Sequence, residues 1–355
     1  MLTKAPFKIK GRKALLLANG MFSPVWAKTA VCFLMYRSED VVAVLDAGQA
    51  GETAESVLGF GGGVPVVATV GEGLALGADV AIVGTAPAGG GLEGNVREEV
   101  LECLRAGVDV VSGLHVFLND DIECRVAKAA TGAKIWDVRR VEGPFPVSKG
   151  DGCTTGAKAV LVAGTDCNVG KMTVAAELSR AASEAGVAAS WAATGQTGMI
   201  LRERGICIDR VVSDFVGGAV EELMNAEADG QDLVFVEGQG AVLHPGYGGV
   251  ALGLLYGVMP DCIVMCHAAG RDKLKRIETP ILPLPEQIAL HELLMAPLKP
   301  VRVAAVTLNT HGLGEAQALA EIERAREASG VVVDDVVRFG CGPVLEAVLD
   351  HTALR

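Results

Sequence analysis

A glycine-bounded loop that ends in a lysine is the segment of this sequence with the clearest chemistry. After the apolar run 159–163 the chain reads Gly164-Thr165-Asp166-Cys167-Asn168-Val169-Gly170-Lys171-Met172-Thr173. Where a buried strand turns into a helix, successive backbone N–H groups converge, the helix N-terminus adds positive potential and a lysine supplies a point charge. Residues 164–173 therefore predict a phosphate-binding loop; the alternative is a tight turn with a chance Gly-Lys pair.

This loop departs in two ways from the common phosphate-loop pattern, in which four residues separate the glycines and a hydroxyl residue directly follows the lysine. Five residues lie between Gly164 and Gly170, and Met172 follows Lys171, so the hydroxyl comes one place later, at Thr173. One helical residue rotates a side chain by about 100°. Phosphate binding tolerates that shift, whereas a geometry in which the hydroxyl ligates Mg²⁺ beside ATP is less well supported.

Other reactive side chains follow predicted strands, at the edge where parallel sheets bind ligands. Glu237 follows the apolar run 233–236 and could hold a metal, orient water or accept a proton, unless it is a solvated acid. His244 is a candidate base, with a purely structural histidine as the alternative. Arg271 can pair with a substrate carboxylate through its planar fork.

Three further segments are weaker candidates. The residues 194–198, which include Gln196, predict a loop that contacts a ligand through backbone amides. Asp214 either caps the next helix, with Ser213 as the rival cap, or binds substrate or metal. The run Cys262-x3-Cys266-His267 does not predict a zinc site, because both thiols lie within one predicted strand and cannot close a tetrahedron with the histidine.

Composition excludes several classes of protein. The 355 residues carry 43 acidic and 31 basic side chains, a net charge of −12, and half of them are apolar. That balance argues against nucleic-acid binding and against an anionic membrane surface. The longest apolar stretch, 250–269, contains Pro260 and Asp261, and the nine cysteines show no repeated pair spacing. We expect a reduced, cytoplasmic protein with neither a membrane span nor a signal peptide.

Apolar runs alternate with amphipathic ones along the chain, which predicts an α/β protein with parallel sheets. We expect a Rossmann-like domain over residues 1–145 and a P-loop NTPase-like domain over residues 156–355, joined by the Pro- and Gly-rich segment 141–155. Predicted elements of the first domain include a helix over 25–36 capped by Ser23 and a strand over 64–70. Asp46 ends the second predicted strand of this domain, but no G-x-G-x-x-G precedes it, so the sequence gives little support for NAD binding.

Short strings along the whole chain resemble a bacterial two-domain P-loop family that was long of unknown function. They are LANGM at 17–21 with AKTA at 27–30, GTDC at 164–167 with GKMT at 170–173, DFVGGA at 214–219, EGQG at 237–240 with HP at 244–245, and CH at 266–267 with GR at 270–271. Characterised members are D-glutamate N-acetyltransferases, which act beside an N-acetyl-glutamate racemase. The P-loop is also similar to that of dethiobiotin synthetase, and residues 84–91 resemble a loop of acyl-CoA-synthetase-type CoA-binding folds.

The resemblance implies transfer of acetyl from acetyl-CoA to the amine of D-glutamate. Residues 164–173 would bind the phosphates of CoA, Glu237 or His244 would be the base, and the backbone of 238–240 would stabilise the oxyanion. Arg271 and then Arg210 are the candidates for binding the substrate carboxylates. The remaining predicted substrate residues are Gln196, Gln239 and Asp214.

Two other functions stay open at this stage. One is an ATP- and Mg²⁺-dependent ligase or kinase of the dethiobiotin-synthetase type, in which Lys171 and Thr173 hold the nucleotide and metal. The other is a sensor that binds CoA or nucleotide without turnover. Under the acetyltransferase interpretation we predict no metal ligand, and we expect a small-molecule substrate and a homo-oligomer.

Overall fold

The computed structural model describes residues 3–18, 20–24, 26–85 and 95–354. The chain forms two compact units. The N-terminal unit contains residues 3–141 and 196–207, and the C-terminal unit contains residues 142–195 and 208–354. Most of the glycine-rich segment 84–91 lies outside the described residues. Within the described chain, every helix is too short or too polar to cross a bilayer.

Helices and strands alternate along residues 3–141. In chain order they are β1 (Thr3–Lys4), β2 (Ala14–Leu17), α1 (Lys28–Arg37), β3 (Val41–Leu45), α2 (Ala54–Leu58), β4 (Val66–Val67), α3 (Val70–Ala75), β5 (Val80–Val83), α4 (Val96–Arg105), β6 (Asp109–Ser112), α5 (Ile122–Thr131) and β7 (Ile135–Asp137).

The same alternation continues through the rest of the chain. The elements are β8 (Lys158–Gly164), α6 (Lys171–Glu184), β9 (Ala189–Ala192), α7 (Gln196–Arg202), β10 (Arg204–Gly205), α8 (Val216–Glu227), β11 (Leu233–Glu237), α9 (Gly248–Val258), β12 (Cys262–Ala268), α10 (Leu284–Met295), β13 (Val303–Asn309), α11 (Glu315–Ser329), β14 (Val332–Asp334) and α12 (Gly342–Thr352).

The N-terminal unit is built on a six-stranded parallel sheet in the order β4-β3-β2-β5-β6-β7. This is the strand order of doubly wound dinucleotide-binding folds, and the fully buried strands β2 and β5 lie where that order reverses. Asp46 follows β3, and its carboxylate accepts hydrogen bonds from the N–H groups of Phe22 and Gly48, at 2.9 and 3.0 Å. Asp46 therefore closes a turn.

Two predicted elements of this unit are wrong in detail. Helix α1 begins at Lys28 and has no side-chain cap, so Ser23 does not cap it. The strand predicted over 64–70 is reduced to β4, and α3 begins at Val70. The Thr69 hydroxyl accepts a hydrogen bond from Glu72 N, and the Glu72 carboxylate accepts one from Ala68 N. These two hydrogen bonds start a helix in a segment whose apolar run favours a strand.

The C-terminal unit has a second parallel sheet, in the order β14-β13-β12-β8-β11-β9. Strand β8 lies in its centre, between β12 and β11. Glu237 pairs in register with Val162, and Cys266 pairs with Gly164. The carboxyl ends of these three strands are thus neighbours, which brings the loops that follow them to one edge of the sheet.

Residues 142–155, which the sequence predicts as a linker, belong to the C-terminal unit and pack along α8. The Ser148 hydroxyl and Gly150 N both donate to Glu221 Oε1, at 2.6 and 2.9 Å. A side chain on Gly218 would overlap the carbonyl oxygen of Pro146. This segment is therefore a packed strap rather than a free connection.

Gly218→Ala should destabilise the protein, because the added methyl group meets the Pro146 carbonyl and the strap must shift. Such overpacking costs about 1–3 kcal/mol of unfolding free energy, measurable by urea denaturation followed by circular dichroism. Gly249→Ala is the matched control, since Gly249 lies in α9 with nothing within 4 Å of its added Cβ. That variant should be neutral or up to about 1 kcal/mol more stable. Equal stabilities of the two variants would contradict the strap packing.

Candidate functional site

The loop of residues 164–170 joins the central strand β8 to helix α6. Asn168 and Gly170 adopt left-handed conformations with φ of 53° and 107°, which lets the backbone curl before the helix begins. At Gly164 an added Cβ would lie 2.8 Å from Val169 Cγ2 and 3.0 Å from Lys171 Cδ. The loop thus has the geometry of an anion-binding nest at a helix N-terminus.

Lys171 is buried in the first turn of α6, and its side chain folds back over the loop. The ammonium Nζ donates to the backbone carbonyl of Asp166 at 2.7 Å. The aliphatic stem lies close to both Gly164 and Gly238, the residues that end β8 and follow β11. The positive charge is therefore held inside the loop.

The two residues after Lys171 differ in environment. Met172 is buried with 3% of its surface exposed, whereas Thr173 is half-buried. An apolar side chain thus packs into the core at the position where the common pattern has the metal-binding hydroxyl. The one-residue displacement seen in the sequence is kept in the structure.

Asp166 ties the phosphate loop to the segment after β12. Its carboxylate is fully buried, and Oδ2 accepts hydrogen bonds from Arg271 Nη1 at 3.0 Å and from Lys275 N at 2.8 Å. Arg271 Nη1 also donates to the carbonyl of Cys167 at 2.7 Å. The sequence predicts Arg271 as a ligand of substrate carboxylates; the structure shows one of its terminal nitrogens bracing the loop.

His267, near the end of β12, contacts Thr165, the loop residue that follows β8. Its Nδ1 lies 2.8 Å from the Thr165 hydroxyl, and the Thr165 N–H donates to the Cys266 carbonyl at 3.0 Å. Burial lowers the pKa of His267, and the nearby Arg271 charge lowers it further. His267 is therefore neutral at physiological pH and acts as a hydrogen-bonding partner.

Glu237 ends β11 and is buried in a closed hydrogen-bond network. Its Oε2 accepts from Thr194 N at 3.1 Å and its Oε1 accepts from Gln239 Nε2 at 3.0 Å. The same Gln239 nitrogen donates to the Thr194 hydroxyl at 3.1 Å. The network joins the ends of β9 and β11, and it brings together the predicted residues Glu237 and Gln239.

His244 is buried, and both of its ring nitrogens contact backbone groups. Nδ1 accepts from Gly246 N at 3.1 Å, so the proton lies on Nε2, which faces the Lys275 carbonyl at 3.2 Å. The Tyr247 ring packs against the imidazole with centroids 4.6 Å apart. In this arrangement the imidazole has no lone pair left for a substrate proton, and its role as base stays a prediction.

Asp166, Cys167 and His244 present ligand atoms within 4.8 Å of one another. A carboxylate, a thiol and an imidazole are a donor set that divalent transition metals accept. Here Arg271 already supplies the cation to Asp166, and backbone groups hold both nitrogens of His244. The expectation that this site has no metal ligand stays a prediction. Burial raises the pKa of the Cys262 and Cys266 thiols in β12 to about 12 and about 11.

The remaining predicted substrate residues are Gln196, Arg210 and Asp214. Gln196 begins α7 in the N-terminal unit, where its Oε1 accepts from Arg139 Nη2 at 2.6 Å, so the predicted ligand loop 194–198 is partly helical. Arg210 and Asp214 are exposed, in separate 3-10 turns. Helix α8 has no side-chain cap, so the capping roles considered for Asp214 and Ser213 are wrong.

A small cavity lies beside Lys171 in the C-terminal unit. It brings together the end of β8, the residues after β11, helix α9 and one buried histidine of α10. That histidine, His291, is not among the residues predicted from the sequence. The lining residues are Leu161, Ala163, Gly164, Lys171, Gly238, Gln239, Gly240, Ala241, Val242, Ala251, Leu254, Leu255 and His291.

Comparisons with known proteins agree with this architecture. Residues 47–141 match the model of the Rossmann-like N-terminal domain of unknown function DUF1611_N, and residues 146–345 match that of the P-loop domain DUF1611_C. A crystal structure of a DUF1611 family protein from Anabaena variabilis superposes with a TM-score of 0.92 at 34% identity. The match covers 96% of this chain and all of that one.

Two curated relatives are named D-glutamate N-acetyltransferase. The protein from Tritonibacter scottomollicae is 31% identical over 79% of this chain and 84% of its own length. The protein from a Pseudoalteromonas species is 32% identical over 77% of this chain and 82% of its own length. With both domains matched in chain order and relatives aligned over most of its length, the chain belongs to the DUF1611 family.

Proposed function

We propose that this protein is an N-acetyltransferase that moves acetyl from acetyl-CoA to the amine of D-glutamate. The names of the two curated relatives support an acetyltransferase and its substrate. The observation that carries the proposal is the phosphate loop itself, with a buried Lys171 and no hydroxyl in the next position. CoA carries a pyrophosphate and a 3′-phosphate, which this loop can bind without a metal ion.

The residues around the loop have separate tasks in this function. The Lys171 ammonium exchanges the Asp166 carbonyl for a phosphate oxygen, a stronger, charge-assisted partner. The N–H of Gly238 is already bonded to the Val162 carbonyl at 3.0 Å. Among the predicted oxyanion donors, the N–H groups of Gln239 and Gly240 are therefore the ones that can face a tetrahedral intermediate.

The second candidate is an ATP- and Mg²⁺-dependent ligase or kinase. It is favoured by the position of Glu237, a carboxylate on the strand next to the phosphate loop, where it could orient a metal or a nucleophile. The Thr194 and Gln239 donors that occupy this carboxylate and the burial of Met172 argue against it.

Ligand-induced thermal shift separates the two candidates. We expect CoA to raise the melting temperature, because a ligand at about 100 times its Kd stabilises the folded state by about 2.7 kcal/mol. ATP with Mg²⁺ should leave the melting temperature unchanged. A thiol-release assay with acetyl-CoA then tests turnover, with D-glutamate as substrate and L-glutamate and no amine as controls. An absence of D-glutamate-dependent thiol would refute the proposed function, and binding without turnover would indicate a sensor.

Lys171→Ala should raise the KM for acetyl-CoA about ten- to a hundredfold, because it removes a charge-assisted contact worth about 1.5–3 kcal/mol. Steady-state kinetics measures the change. Lys158→Ala is the matched control: it removes a lysine from the other end of β8, where the side chain is 42% exposed beside Asp261. An unchanged KM in Lys171→Ala would mean that the CoA phosphates bind elsewhere.

A further inference from the structure

Helix α10 buries polar residues on the face where a core helix ordinarily carries apolar ones. Gln287, His291 and Met295 are spaced by four residues and are at least 98% buried, as is usual for one face of a helix. Within the described residues, the Gln287 side-chain Nε2 has no hydrogen-bond partner. Burying polar groups with unused hydrogen-bonding capacity costs free energy. This face therefore calls for a role other than packing.

His291 is held in one tautomer with its second nitrogen available. Nδ1 lies 2.8 Å from the Gln287 carbonyl, which can only accept, so Nδ1 carries the proton and Nε2 carries a lone pair. No hydrogen bond within the described residues involves Nε2. Burial lowers the pKa of His291, and the Gln287 carbonyl offsets part of that effect. The imidazole is therefore neutral at physiological pH and can accept a proton.

His291 is one of the residues that line the cavity beside the phosphate loop. His291 and Lys171 are the two titratable residues among those that line it, and most of the other lining residues are apolar or glycine. The pKa shift of His291 has no contribution from a neighbouring charge. The residue that carries this proton-accepting nitrogen thus lines the same cavity as the lysine of the phosphate loop, Gln239 and Gly240.

The two bases suggested by the sequence are less free to act. Hydrogen-bond donors occupy both carboxylate oxygens of Glu237, and backbone groups engage both ring nitrogens of His244. Of these three candidates, His291 keeps an acceptor atom that the described residues leave unpaired. A general base needs such an atom within reach of the proton that it removes.

We propose that His291 is the catalytic base of this site, accepting the proton from the amine that is acylated. The inference rests on the acetyltransferase function proposed above. The ammonium group of glutamate passes one proton to Nε2, and the resulting amine nitrogen attacks the thioester carbonyl carbon. The C–N bond forms and the C–S bond breaks, with its electron pair leaving on sulfur. The thiolate takes the second nitrogen proton, and the imidazolium releases the first to solvent.

The test is the pH dependence of kcat at saturating substrates in the wild type, His291→Gln and His351→Gln. His351 is the matched control, because its Nδ1 contacts the carbonyl four residues earlier, at 2.8 Å, on an exposed part of α12. We expect His291→Gln to lower kcat about 10²- to 10⁴-fold and to lose the acidic limb of the profile, with CoA still raising its melting temperature. His351→Gln should match the wild type.

The wild-type profile keeps the inference testable even if His291→Gln does not fold. The base must be unprotonated, so kcat should fall as pH drops through the lowered pKa, below the usual histidine value of about 6.5. An acidic limb whose midpoint lies at or above the usual histidine pKa overturns the assignment. So does an acidic limb that persists in His291→Gln and disappears in Glu237→Gln. A wild type without D-glutamate-dependent thiol release refutes the proposed function instead.

Discussion

The contact between the Lys171 ammonium and the Asp166 carbonyl is the interaction on which the rest of the site depends. It holds a buried positive charge inside the curled backbone of the loop. The neighbouring groups serve this arrangement: Arg271 and Lys275 N hold the Asp166 carboxylate, and His267 supports Thr165. The loop is thereby organised before a ligand arrives, which lowers the ordering cost of binding.

The C-terminal unit has three buried or half-buried histidines, and their hydrogen-bond partners give them different roles. Both nitrogens of His244 meet backbone groups, and His267 bonds to a threonine hydroxyl. His291 lines a cavity, and only its Nδ1 makes a hydrogen bond within the described residues. Since all three carry the same side chain, the difference lies in loop and helix geometry. This geometry distinguishes His244 and His267, which hold neighbouring groups in place, from His291, the candidate base.

The alternation of apolar runs and the Gly164–Thr173 string were enough to predict two parallel-sheet domains and a strand-loop-helix nest, because both signals are local. The predictions that failed depended on contacts between residues far apart in sequence. The segment 194–198 looked like a ligand loop, but Gln196 begins a helix that packs in the other unit. His291 was missed because α10 also carries Leu290, Leu293 and Leu294, so apolar residues surround the helix and no pattern identifies its buried face.

The central claim is that the turn of residues 164–173 binds the phosphates of CoA. A crystal structure of the protein with CoA tests it most directly. We predict phosphate oxygens on the backbone N–H groups of this turn and on Lys171 Nζ, with the Asp166 carbonyl released. CoA in another pocket, with Nζ still on that carbonyl, would contradict the account.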